Sequence, residues 1–202
     1  MSQLAPLVEK TKGLQPWRRV FHAANGVAIV FVLAVLKPAW GLVVGALGAI
    51  ALGLLLLDGL RFLIPPLNRT FFRLLRPFAS PREAKGLASS TWFMMGAFLS
   101  AAVFPWRVTV PALLVLALAD PAASYVGRRW GRRTFGTGTV EGSLVFLTVS
   151  LAILVTVAGP WVGSGVAILV TLGERIPWPL DDNLTIPLLT GTLLWSLLPF
   201  WG

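Results

Sequence analysis

Residues 20–58 read VFHAANGVAIVFVLAVLKPAWGLVVGALGAIALGLLLLD, two apolar runs parted at Lys37-Pro38 and closed by Asp58. Apart from His22 and Asn25, neither run has a polar side, whereas a surface helix of a soluble domain keeps one toward water. Such runs lie in lipid, where a helix satisfies its own backbone N–H and C=O groups. Helices are therefore expected over 20–36 and 40–57. Working outward, the same texture recurs at 87–104, 108–119, 143–158, 162–173 and 184–200. That makes about seven transmembrane helices. Several fall short of the roughly 20 residues that cross a hydrocarbon core of about 30 Å, so flanking turns or local thinning must complete them.

Composition agrees. Of 202 residues, 56% are hydrophobic and 12% charged, and the mean hydropathy is +0.79, which leaves little for a soluble domain. The expected fold is an all-α polytopic membrane protein, with residues 1–202 forming a single integral membrane domain. The chain has no Cys, which excludes disulfide frameworks and zinc-cysteine sites. A net charge of +9 would suit a nucleic-acid binder, but its placement reads as a topology signal instead. If the N-terminus is cytoplasmic, the inward segments hold Lys10, Lys12, Arg18, Arg19, Arg61, Arg69, Arg73, Arg76, Arg82, Lys85, Arg128, Arg129, Arg132, Arg133 and Arg175. Only Lys37 and Arg107 remain outside. This positive-inside bias puts the N-terminus in the cytoplasm and the C-terminus outside, with no nucleic-acid partner.

The same topology places every acid inside: Glu9, Asp58, Glu83, Asp120, Glu141, Glu174, Asp181 and Asp182. Acid–base or divalent-metal chemistry is then cytoplasmic. Two constellations stand out. Residues 120–143, DPAASYVGRRWGRRTFGTGTVEGS, bring together glycines, hydroxyls, four Arg and two carboxylates. Glycine lets backbone N–H groups approach phosphate oxygens, Arg neutralises their charge, and carboxylates hold Mg²⁺. Helical spacing also puts Asp120, Ser124, Gly127 and Gly131 on one face. The bland alternative is that Asp120 caps a helix opening at Pro121, with Gly127 and Gly131 as a packing seam. The second constellation is 174–187, ERIPWPLDDNLTIP. Two adjacent carboxylates and an amide at the mouth of an apolar helix are costly unless paired, hydrated or metal-bound. Here too capping competes, by Asp182 or Asn183.

Both constellations resemble one family, the CTP-dependent lipid-alcohol kinases: polyprenol and dolichol kinases, phytol kinases and CTP-dependent diacylglycerol kinases. The signature resembled is Asp120-x-x-Ala123, two glycines four apart and the closing Glu141-Gly142-Ser143. The stretch 181–187, preceded by Glu174, resembles the C-terminal motif of the phytol kinase-like members. Weaker echoes are Arg19, His22 and Gly26, then Asp58 with Arg61, then 76–83. One departure stands out, because the family usually carries Lys before the hydroxyl residue that leads into Glu-Gly-Ser, and here Gly138 precedes Thr139.

What the resemblance implies is transfer of the terminal phosphate of a nucleoside triphosphate, CTP in the family, to a lipid hydroxyl. The acceptor would be an isoprenoid alcohol of polyprenol, dolichol or phytol type, or diacylglycerol. Mg²⁺ would be the cofactor, and the site would lie at the cytoplasmic face of a prokaryotic-type plasma membrane. The catalytic group is then Asp120, Glu141, Asp181 and Asp182, with Asp120, Asp181 and Asp182 on the metal. The nucleotide falls to Ser124, Gly127, Arg128, Arg129, Gly131, Arg132, Arg133, Thr139, Gly142, Ser143 and Asn183. His22, Asp58, Glu83 and Glu174 are supporting residues. Other readings are a cytidylyltransferase that makes a CDP-lipid, whose longer C-terminal signature is not visible here, and a small transporter. A transporter would use mid-span carboxylates, and none is expected.

Overall fold

Proline and charge punctuate an otherwise continuous helical chain. The computed structural model describes residues 4–201. A single turn, α1 (Ala5–Glu9), precedes α2 (Pro16–Phe31), which opens on Pro16 and continues through a π-helical turn at Val32–Leu36 until Pro38 stops it. Next come α3 (Trp40–Leu63), α4 (Pro65–Leu74), α5 (Ser89–Val103), α6 (Trp106–Leu114) and α7 (Asp120–Trp130). A two-strand hairpin, β1 (Thr134–Phe135) and β2 (Gly138–Thr139), leads to α8 (Val140–Glu174) and α9 (Asp182–Ser196). Among the described residues four helices are long and apolar enough to cross a membrane: Pro16–Leu36, Trp40–Leu63, Trp106–Trp130 and Val140–Glu174. The all-α membrane character expected from the sequence is what the chain shows. Large apolar side chains on the outer faces, Leu42 71%, Leu63 79% and Trp161 90% exposed, have lipid as their natural solvent.

One boundary differs in kind from the sequence expectation. The helix foreseen over 108–119 does not end there, because α6 and α7 are one rod from Trp106 to Trp130. Pro121 has no N–H, and its ring crowds the carbonyl four residues back. The π-helical turn Val115–Ala119 absorbs that conflict, as single π turns do. Asp120 is consequently helical, with φ −61° and ψ −53°. It opens no new helix, and the capping alternative lapses. It also stands inside a continuous helix, where no acid was expected.

The reverse holds at α8. Gly159 takes φ +78°, a backbone region open to glycine and strained for other residues. A Cβ on Gly163 would overlap the backbone of Leu154 and Val155, although nine residues of straight helix would separate those positions by about 13 Å. The chain therefore turns sharply at Gly159-Pro160, and α8 is two arms, matching the division expected between 143–158 and 162–173.

The main core fills the space among α6, α7, the arms of α8 and α9, where Val108, Leu116, Phe146, Leu154, Val166 and Leu194 are fully buried. A second cluster joins α2, α3, α5 and α6 through Val30, Leu47, Ala97 and Leu113. Gly26 lets α2 reach the π turn, since a Cβ there would strike Ala117.

A buried ion pair ties the charged end of this bundle together. Arg61 Nε meets Asp58 at 2.5 Å. Its Nη1 donates to Asn68 Oδ1 at 2.9 Å and to the Glu83 carbonyl at 2.7 Å, and Nη2 to the Gly86 carbonyl at 2.8 Å. The second oxygen of Asp58 accepts from Ala88 N–H and Thr91 Oγ1. One pair thus fastens α3 to α4, to the 81–86 loop and to the start of α5. Losing one member leaves a buried charge alone, which costs about 3–5 kcal/mol. Asp58→Ala and Arg61→Ala should each lower the melting temperature in detergent by many degrees, with Asp58→Asn milder; an unchanged melting curve for both alanine variants would contradict this role.

Candidate active site

The residues singled out from sequence lie largely at one end of the bundle, held there by short-range chemistry. Asp181 is the N-cap of α9: its Oδ1 accepts from Asn183 N–H at 3.1 Å and from Asn183 Nδ2 at 2.5 Å. The cap is therefore Asp181, and neither Asp182 nor Asn183. The arrangement turns Asp182 into a cavity of about 500 Å³, lined by Asp120, Ser124, Gly127, Arg128, Thr139, Gly142, Glu174, Asp181 and Asp182 among the expected residues. Asp120 comes from α7, Gly142 from the start of α8, Glu174 from its end and Asp182 from α9, so four segments distant in sequence build one cleft.

Gly127 and Gly142 make that meeting possible. A Cβ on Gly127 would lie 2.8 Å from Thr139 Oγ1, and one on Gly142 would lie 3.0 Å from the Ala123 carbonyl. Gly131 packs on Thr139 in the same way. The glycines are thus a packing seam between α7 and α8, and Gly127 and Gly142 also line the cavity. Thr139 caps α8 by accepting from Gly142 N–H at 3.1 Å, as an N-cap hydroxyl does.

Other expected residues lie elsewhere. Arg129, Gly131, Arg132, Arg133, Glu141, Ser143 and Asn183 are not among the cavity's lining. The Glu141 carboxylate lies against the backbone N–H groups of Arg132 and Arg133 at the base of the hairpin. Ser143 Oγ donates to the Thr139 carbonyl. Asn183 is buried, with its carbonyl against Gly96. Asp58 is in the ion pair described above. Glu83 and His22 line a second, apolar cavity beside the first. Burial pushes the Glu83 carboxyl above its usual range, against hydrogen bonds from Ser89 and the nearby Arg18.

Beside Arg128, which was expected there, the cavity has cations that the sequence did not assign to it. Arg82, Arg128 and Arg175 line it, and Arg19 Nη2 reaches Ser124 Oγ at 3.0 Å. In the sequence Arg82 and Arg175 count as inward topology charges, with Arg82 also inside the 76–83 echo. Arg175 pairs with Glu174, and its guanidinium occupies the space where a side chain on Gly138 would begin. Its carbonyl accepts from Thr137 N–H at 3.3 Å, so the hairpin grips the end of α8. The position that lacks Lys is therefore filled by an arginine from another segment. Only the sequence motif of a glycine between two threonines could have hinted at a close neighbour there.

Chemically the cleft joins anionic and cationic walls. Asp120, Asp181 and Asp182 are close enough to repel one another, while Arg18, Arg19 and Arg175 oppose Asp120. Among the described residues no three His, Asp or Glu side chains converge as a closed metal cage. Mg²⁺ does not require one, because it commonly takes one or two carboxylates together with phosphate oxygens and water. This donor set fits that pattern.

The chain is 28% identical over 162 residues to CTP-dependent diacylglycerol kinase 1 of Schizosaccharomyces pombe, a similarity covering 70% of this chain and 74% of that protein. No family model matches the chain, and no solved structure matches it. This similarity to a CTP-dependent lipid kinase runs along most of the chain and supports the resemblance carried by the motifs at 120–143 and 181–187.

Proposed function

We propose that the protein is a CTP-dependent lipid kinase that phosphorylates a lipid hydroxyl, of an isoprenoid alcohol or of diacylglycerol, at the cytoplasmic membrane face. The observation that carries this is the cleft itself. Four carboxylates and three arginines share a cavity of about 500 Å³ at the polar end of an apolar helical bundle, where a soluble triphosphate can meet a membrane alcohol. The relative's CTP-dependent kinase activity supports the choice of donor.

In this reading Arg82, Arg128 and Arg175 neutralise the triphosphate, and the packed glycine seam lets it approach the backbone. Asp182 and the outer oxygen of Asp181 would hold Mg²⁺, which when bound supplies charge neutralisation for the phosphates. The alcohol oxygen forms a bond to the terminal phosphorus as the bond to the bridging oxygen breaks. CDP leaves, and the hydroxyl proton passes to Asp120. Catalysis is then mainly alignment and charge placement. The seven crossings and the cytoplasmic N-terminus belong to the same proposal and follow from the basic-residue distribution.

The deciding experiment incubates purified protein with Mg²⁺, each nucleoside triphosphate in turn and a mixture of polyprenol, phytol and diacylglycerol. Phospholipid product from CTP, reduced about a hundredfold or more in Asp120→Asn and Asp182→Asn, is the expected result; a CDP-lipid from phosphatidate would move the protein to the cytidylyltransferases. Gly138→Ala, which pushes the Arg175 guanidinium aside, should raise the KM for CTP about tenfold or more, as should Arg175→Gln, since hydrogen bonds to charged groups contribute about 1.5–3 kcal/mol. Orientation is testable because the chain has no cysteine. Lys37→Cys should react with an impermeant maleimide on intact cells, and Lys12→Cys only after lysis.

A further inference from the structure

Beside the cleft lies a second cavity, about 360 Å³, between α2, α3, α4 and α5. Its walls are Phe21, Leu54, Phe71, Leu75, Phe78 and Met94, and one end is polar, with Arg18, His22, Glu83 and Ser89. Lining residues run along α2 from Arg18 to Asn25, so the cavity is about 10 Å deep along that helix. Its rim is open at Phe21, Leu75 and Phe78, which are 37–47% exposed. Part of the wall is α4, which buries Asn68 and Phe72 and leaves Leu67 and Leu74 exposed among arginines. Such a basic amphipathic helix suits the membrane interface.

The polar end abuts the nucleotide cleft. One 3₁₀ turn, Pro81–Ala84, sends Arg82 to the cleft and Glu83 to the apolar cavity. Arg18 donates to Ser89 Oγ and also acts on Asp120 across the divide. His22 stands in this dividing wall, within electrostatic reach of Asp181. Its ring is edge-on to Phe93, with centroids 4.7 Å apart. It hydrogen-bonds the Leu116 backbone, in the π turn that Pro121 requires. Its Nε2 is buried with no partner, and a buried polar atom without a partner is a costly feature that calls for an explanation.

Resting on the kinase reading, we infer that this cavity holds the hydrocarbon chain of the lipid alcohol, with the hydroxyl donating to His22 Nε2 next to the cleft while it waits and turning to Asp120 when phosphate is transferred. A cavity of about 150 Å³ holds benzene, so this one takes on the order of a dozen carbons of a single chain. The rest of the chain leaves past Phe21 and Phe78 into the bilayer. A diacylglycerol would place one chain here and keep the other in lipid.

The test uses a long-chain alcohol carrying a diazirine midway along its chain, photolysed with the full-length protein in detergent, without nucleotide, and mapped by mass spectrometry. Labelling should fall on α2, α3 and α5 around Leu54 and Met94. Excess unlabelled alcohol should compete it, and phosphatidylcholine should not. Leu54→Trp, which fills the cavity, should cut labelling and kcat/KM for long alcohols about tenfold while the KM for CTP stays within twofold, because overpacking acts locally. Leu54→Ala should shift preference toward bulkier chains, which guards against a misfolded tryptophan variant. Labelling confined to α8 and α9, equal competition by phosphatidylcholine, or a chain-length profile indifferent to Leu54 would each overturn the inference. Labelling in the cavity with no phosphate transfer from any nucleotide would instead overturn the kinase reading and leave the alcohol site standing.

Discussion

The charged end of this bundle depends on the Arg61–Asp58 pair. Arg61 donates at once to a carboxylate, an amide and two backbone carbonyls, and Asp58 accepts from the first turn of α5. Both side chains are about 4% exposed. Two ions taken out of water this far are stable only when nearly every donor and acceptor is matched. The matching partners come from three segments beyond α3, so the pair fixes their relative placement and not merely the end of one helix. It sets the 81–86 loop against α3, which places Arg82 in the cleft and Glu83 and Ser89 in the apolar cavity.

A second constraint follows from Pro121. In a helix its ring displaces a carbonyl and removes a donor, and the π turn at Val115–Ala119 is the accommodation. Two positions at the cavities benefit. Asp120 is carried on a continuous helix to the cleft, and the Leu116 backbone is available to His22. The same local conflict therefore helps to orient groups in both cavities. Gly159 and Pro160 provide the other departure from straight helix, and the turn they make returns the chain so that Glu174 and Arg175 reach the hairpin.

For the proposed reaction between a soluble anion and an insoluble alcohol, the arrangement has a simple logic. Water-facing cations and carboxylates form one cavity, apolar side chains open to lipid form the other, and Arg18, His22 and the 3₁₀ turn form the partition. Each cavity suits its solvent. The reacting groups need to meet only at the partition.

The sequence by itself determined the membrane class, the helical content and about half of the residues that line the cleft, because apolar texture and the clustering of scarce charges are properties of composition and spacing. Asp120, Ser124, Gly127, Arg128, Asp181 and Asp182 were legible in this way. Other features depended on contacts between distant segments. The arginines at 129, 132 and 133 looked equivalent to Arg128, yet they lie outside the cavity lining while Arg82 and Arg175 enter it from elsewhere. No local pattern could say that Gly138 is small because Arg175 lies against it, or that Asp58 and Arg61 bind four segments. Helix propensity and hydropathy act over one or two turns of chain, whereas a cavity wall is set by which side chains fill the same volume after packing.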